Sequence, residues 1–174
     1  MKRLLSIILT LSICLTCYSV NVFGFSFTDV TSSDWYYSDV VNAHSKNWVV
    51  GYSDGSFKPN NNVTWAEAIT MVVRAGGNRI PVSDGDWYEG AYSVAEQRGI
   101  LDYQIDRAYN DANNPISRAD LVRLIYYEFD FDTLGADSAY NWYFIDVDYA
   151  DLWTSVPINT LSNVGVLSGY YENG

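Results

Sequence analysis

Past residue 17 the chain has no cysteine, and the two it does have, Cys14 and Cys17, fall in an N-terminal apolar stretch. Everything beyond that stretch lacks a thiol and cannot form a disulfide, so stability must come from burial and hydrogen bonding. Histidine occurs once, as His44, and a lone histidine is an ordinary surface or core residue more often than a catalyst. Positive charge is scarce: 10 Lys and Arg stand against 21 Asp and Glu, for a net charge of −11. Such a surface repels nucleic acid and anionic membranes, and an anionic ligand would have to be met by a local cation. There is no His-Glu-x-x-His and no glycine-rich phosphate loop, which removes the usual signatures of zinc proteases and nucleotide enzymes.

Long apolar runs are also missing. Residues 4–15 are mostly apolar, but Ser and Thr interrupt them, and the run is too short to span a bilayer comfortably. Lys2 and Arg3 precede it, and Val22 and Gly24 stand at −3 and −1 of a cleavage before Phe25. Residues 1–24 therefore have the layout of a secretory signal peptide. A membrane anchor and a lipoprotein are the lesser alternatives; neither Cys14 nor Cys17 follows a Leu-small-small pattern. Cleavage removes both cysteines and lowers the charge by two, to −13, because Lys2 and Arg3 leave and no acidic residue does. About 150 residues remain, enough for one compact domain or several small repeats sharing a core. What the chain has in plenty is aromatics, at 16%. Flat rings can stack on sugars, but most are expected to fill the core.

An internal repeat organises the remainder. With Trp35 on Trp87, Trp35-Tyr36 matches Trp87-Tyr88 and Asn47-Trp48-Val49 matches Gly99-Ile100-Leu101. With Trp35 on Trp153, Asn47-Trp48-Val49-Val50-Gly51-Tyr52 falls on Gly165-Val166-Leu167-Ser168-Gly169-Tyr170. Upstream, Phe27-Thr28-Asp29-Val30 matches Phe144-Ile145-Asp146-Val147, with Val82-Ser83-Asp84 a worn middle copy. Each unit reads as a Phe-x-Asp-Val entry, a Trp, a helix ending near Gly or Asn47, a short apolar strand-like step, a loop and a second helix. The units span residues 25–80, 81–140 and 141–174. Trp35, Trp87 and Trp153 are expected in equivalent buried settings. Tyr88, Ala91, Tyr92 and Ala95 share one helical face, and Pro157 is expected in a first turn, where its missing N–H costs nothing.

Thr64 followed by Glu67 forms a capping box, of which Ser117 with Asp120 is a weaker copy with a shorter carboxylate. Ile69, Val72 and Val73, and then Leu121, Leu124 and Ile125, supply the apolar faces behind the two caps. Gly76-Gly77 stops the first of these helices. Before the first cap, Asp54-Gly55 and Pro59 with the Asn run build a polar turn. The third unit has no capping helix within the 174 residues, so the chain is expected to be truncated or the beginning of a longer protein.

Phe-x-Asp-Val, Trp, then Gly51-Tyr52-Ser53-Asp54-Gly55-Ser56-Phe57-Lys58-Pro59, then Thr64-Trp65-Ala66-Glu67 resembles the S-layer homology domain, over roughly residues 27–174. The resemblance implies a mainly α fold: a pseudo-threefold array of helix-loop-helix repeats around a central helical bundle, with grooves between repeats. It implies a non-catalytic module on the bacterial surface. Such modules bind secondary cell-wall polysaccharide, often carrying a pyruvate ketal, to hold an exported protein on the wall. The family motif Thr-Arg-Ala-Glu contributes an Arg to that anion. Ser117-Arg118-Ala119-Asp120 keeps the Arg, whereas Trp65 replaces it in the first unit.

Arg118 is therefore the candidate clamp for a carboxylate, which a guanidinium can fork onto; otherwise it is a solvated first-turn residue. Trp65 is either a sugar-stacking ring or packing. Ser117, Asp54 and Gly55 complete the candidate glycan-binding set. Asp130-x-Asp132 and Asp146-x-Asp148-x-x-Asp151 lack the Gly and the bidentate Glu of a calcium loop. No cofactor, metal, nucleic acid or post-cleavage membrane partner is expected, and the oligomeric state is open. The alternatives to a wall anchor are the N-terminal anchor of an exported enzyme, and a degenerate repeat protein with structural or protein-contacting duties.

Overall fold

The computed structural model describes residues 27–101, 105–131, 144–148 and 151–169. The signal segment, the boundary at 140/141 and Asp132 lie outside the described residues. Six helices are described: α1 (Tyr37–Ser45), α2 (Trp65–Ala75), α3 (Glu89–Gln97), α4 (Ile105–Asn110), α5 (Arg118–Glu128) and α6 (Leu152–Asn163). No strand forms among the described residues, and the mainly α class holds. The apolar steps after the helices, expected to be strand-like, are plain connections. Among the described residues the extended pairing is one antiparallel bridge between Thr64 and Pro115.

The repeat is visible in how helices stop. Asn47, Gly99 and Gly165 follow α1, α3 and α6 with φ of 58°, 71° and 77°. This left-handed residue turns the next amide back onto the last turn: Trp48 N–H donates to Ala43 (2.9 Å), Ile100 N–H to Ala95 (2.9 Å) and Val166 N–H to Leu161 (2.8 Å). These are Schellman closures, which satisfy carbonyls that a helix end would otherwise orphan. The Phe-x-Asp-Val entries match as well. A Cβ on Gly51 would lie 2.2 Å from the Phe27 ring, and one on Gly169 2.4 Å from the Phe144 ring. The entry phenylalanine thus packs flush on a glycine in both the first and third units.

Two further expectations fail. Trp35, Trp87 and Trp153 are not buried; they are 87%, 63% and 48% exposed. Their settings nevertheless correspond in the first two units, where Trp35 meets Tyr36 edge-on (5.4 Å, 82°) and Trp87 meets Tyr88 edge-on (5.6 Å, 88°). Adjacent residues at a helix start face different sides, and here the tyrosine turns inward: Tyr88 packs on the main core and Tyr36 on the cluster around Phe27. Pro157 is not in a first turn either. Asp151 caps α6 one turn earlier, accepting from Trp153 N–H (3.1 Å) and the Thr154 hydroxyl (2.7 Å). Pro157 consequently lies inside the helix, where it forgoes a backbone bond.

The core is organised around α2, which packs on α3 and α5, while α5 packs on α6. Trp65, Ala66, Ala68, Ile69, Val72 and Val73 of α2 are all buried, and Glu67, Met71 and Arg74 on its other face are half-buried, so no side of this helix is fully open. Tyr92, Ile100, Leu101 and Leu124 join it in one cluster. A second cluster, Val122, Tyr126, Ile158 and Leu161, seals α5 to α6. At the far end of α2 and α5, the buried Glu128 carboxylate accepts from Arg98 Nε (3.3 Å) and Asn78 Nδ2 (2.7 Å). The side chain lies so close over Gly76 that a Cβ there would sit 1.7 Å from Glu128 Oε1.

Candidate functional site

Both caps form at the N-termini of the second helices. Thr64 Oγ1 accepts from Glu67 N–H (3.3 Å) while the Glu67 carboxylate accepts from Thr64 N–H (2.9 Å), the full reciprocal box. Ser117 Oγ accepts from Asp120 N–H (3.1 Å) and donates to Asp120 Oδ2 (2.7 Å). The shorter aspartate turns onto the serine hydroxyl. Ser117 is therefore occupied as a cap.

The loop before the first cap is tied to it. Tyr52 donates its hydroxyl to Glu67 Oε1 (2.6 Å), and Lys58 Nζ lies 3.9 Å over the Tyr52 ring. The hydrogen bond to Glu67, helped by burial, pushes the Tyr52 phenol up to about 12. Burial works against the Glu67 charge, but the Thr64 N–H and hydroxyl and the Tyr52 hydroxyl outweigh it and hold the carboxyl below its ordinary value. Asp54 turns back on Ser56, accepting from its hydroxyl (2.6 Å) and its N–H (3.0 Å), and those bonds keep it low as well. Gly55, at φ 80°, presents its carbonyl to Thr28 N–H (3.0 Å).

Sequence reasoning gave Asp29 no role, yet its carboxylate accepts from Phe57 N–H and Lys58 N–H at 2.7 Å each. That clamp holds Lys58 at φ 58°, a conformation L-residues resist. The signal was present: Asp29 recurs as Asp84 and Asp146 in the entry motif.

Trp65 and Arg118 occupy matching positions and part company. Trp65 is 1% exposed, in the cluster that holds Ile100 and Leu101 of the second unit. Its ring offers no face to a sugar, so the packing alternative is the correct one. The helix end beneath it is also taken: Trp65 N–H donates to Asn114 (3.1 Å) and Ala66 N–H to Ala112 (2.9 Å). Arg118 is exposed, and its Nη2 donates to the Ser168 carbonyl of the third unit (3.2 Å). The seam between units one and two is thus filled by an indole, and that between two and three is spanned by a guanidinium. The candidates do not form one cluster. Asp54 and Gly55 belong to the first-unit loop, and no described contact joins them to Arg118.

The model of the S-layer homology domain family matches residues 26–75. Residues 26–75 are an S-layer homology domain. Relatives carry the likeness further along the chain. The middle cell wall protein of Brevibacillus brevis is 38% identical over 103 residues, 59% of this chain and 9% of that protein. The surface layer protein of Brevibacillus choshinensis is 42% identical over 78 residues, 45% of this chain and 7% of that protein. Endo-1,4-beta-xylanase A of Thermoanaerobacterium saccharolyticum is 31% identical over 87 residues, 45% of this chain and 7% of that protein. The chain spans less than a tenth of the length of each of these three. The S-layer homology domain and the surface and cell-wall relatives put the chain at the cell surface.

His44 lies edge-on against the Phe27 ring at 5.3 Å. Asp151 is spent as a helix cap. Among the described residues no group of three His, Cys, Asp or Glu is placed to hold a metal ion, and no helix is long and apolar enough to cross a membrane.

Proposed function

We propose that the chain is a non-catalytic anchor that binds an anionic secondary cell-wall polysaccharide and so holds an exported protein on the bacterial wall, its repeats arranged pseudo-threefold about the central helices. The observation that carries this reading is the contrast between Arg118 and Trp65. Arg118 is an exposed cation at the first position of α5, in a protein whose net charge is strongly negative. At that position the helix dipole and the guanidinium favour the same anionic group. A carboxylate ketal gives the guanidinium a planar partner for two charge-assisted hydrogen bonds. Ser117 shapes the turn that presents Arg118, and Asp54 with Gly55 shapes the corresponding first-unit loop.

Arg118→Ala is expected to weaken binding of the wall polymer by roughly 1.5–3 kcal/mol, as for a lost hydrogen bond to a charged group. Arg118→Lys should rescue only part, because an ammonium cannot fork onto a carboxylate. Raising salt should weaken the parent more than Arg118→Ala. Binding isotherms at two ionic strengths measure this, and equal affinity of parent and Arg118→Ala would remove Arg118 from the site. The xylanase relative favours a second reading, in which the anchored protein is an enzyme whose catalytic part is a separate domain.

A further inference from the structure

Trp35, Trp87 and Trp153 are exposed at matching positions of the chain. We propose that Trp35 and Trp87 are stacking platforms for neutral sugar rings of the wall glycan, with Trp153 as the third copy. The inference rests on the wall-glycan reading above and adds to it a contact that does not depend on charge.

Burying an indole is among the most favourable things a small domain can do with one, yet two units leave the same Trp outside while turning the next Tyr inward. A single exposed Trp is unremarkable; one at the matching position of every unit is a pattern. Each ring is held rather than loose, since Tyr36 and Tyr88 meet Trp35 and Trp87 edge-on.

The surroundings select the occupant. Trp35 follows Ser33 and Asp34, with Asp39 one turn on; Trp87 is flanked by Asp84, Asp86 and Glu89; Trp153 follows Asp151. An acidic collar repels an anionic lipid surface, and the charged residues of an anionic polymer alike, so the rings it admits are neutral ones. It also suits poorly the apolar centre of a protein interface, where charged residues are depleted. A pyranose fits both parts: its C–H face covers an indole, and its hydroxyls donate to carboxylates and hydroxyls at the rim.

The test uses Trp35→Ala, Trp87→Ala and the double variant, with circular dichroism and melting curves to establish that they fold. Two probes are titrated: the purified wall polymer, and the same polymer after mild acid has removed its pyruvate. Each substitution should lower affinity for both polymers by up to roughly tenfold, with little dependence on salt. Arg118→Ala should affect only the pyruvylated polymer. If the Trp variants match the parent on both polymers while Arg118→Ala loses the charged one, the stacking proposal is wrong and the anion site stands. If the parent binds neither polymer, the wall-glycan reading fails and the stacking proposal with it.

Discussion

Thr64 and Ser117 show how much a single side chain decides. Each satisfies an amide in the first turn of its helix that would otherwise be left open. Thr64→Ala should cost on the order of 1 kcal/mol, and Ser117→Ala the same or less. Denaturant midpoints equal to the parent's in both variants would contradict the caps. Glu67 adds a pH dependence. Its folded carboxyl is held below the ordinary 4.5, so its contribution is fully present above that pH and is lost as pH falls through the lower folded value. Glu67→Gln should flatten the acid limb of a stability–pH curve, and an unchanged limb would mean the Thr64 and Tyr52 bonds contribute nothing. These caps were legible because a capping box is written in four adjacent residues. Whether Trp65 and Trp35 faced in or out was not, because the same residue type serves a core and a surface, and only the neighbouring helix decides.

Among the elements, α2 is held at its far end by a contact no local pattern announces. Glu128, from the last turn of α5, reaches Arg98 and Asn78, and is seated on Gly76. Carboxylates near a helix C-terminus are unfavourable to the dipole, so the position makes sense only through its long-range partners. Glu128→Ala should destabilise by about 2–4 kcal/mol, since a partly exposed arginine and a half-buried amide lose their acceptor. Glu128→Gln should cost less, because its amide oxygen still accepts. Urea unfolding of the two variants measures the difference, and no loss in Glu128→Ala would show the cluster to be incidental. The helices themselves were readable from apolar spacing and the glycine stops. Pro157 was misplaced because the Asp151 cap that starts α6 is one turn further back than proline statistics suggest.

At the scale of the whole molecule, the repeat carried most of the information. Matching tryptophans, glycines and Phe-x-Asp-Val entries became matching helix stops and matching Phe-on-Gly contacts. What it could not convey was the divergence between copies, where an indole fills one seam and a guanidinium spans the next. With a net charge of −11 over the whole sequence, general electrostatic attraction to an acidic wall is absent, so any binding must be local and specific. Co-sedimentation with purified cell walls, before and after their secondary polysaccharide has been extracted, tests this most directly. The protein is expected to pellet with intact walls and stay in solution with extracted ones; equal pelleting with both would contradict the polysaccharide as its anchor.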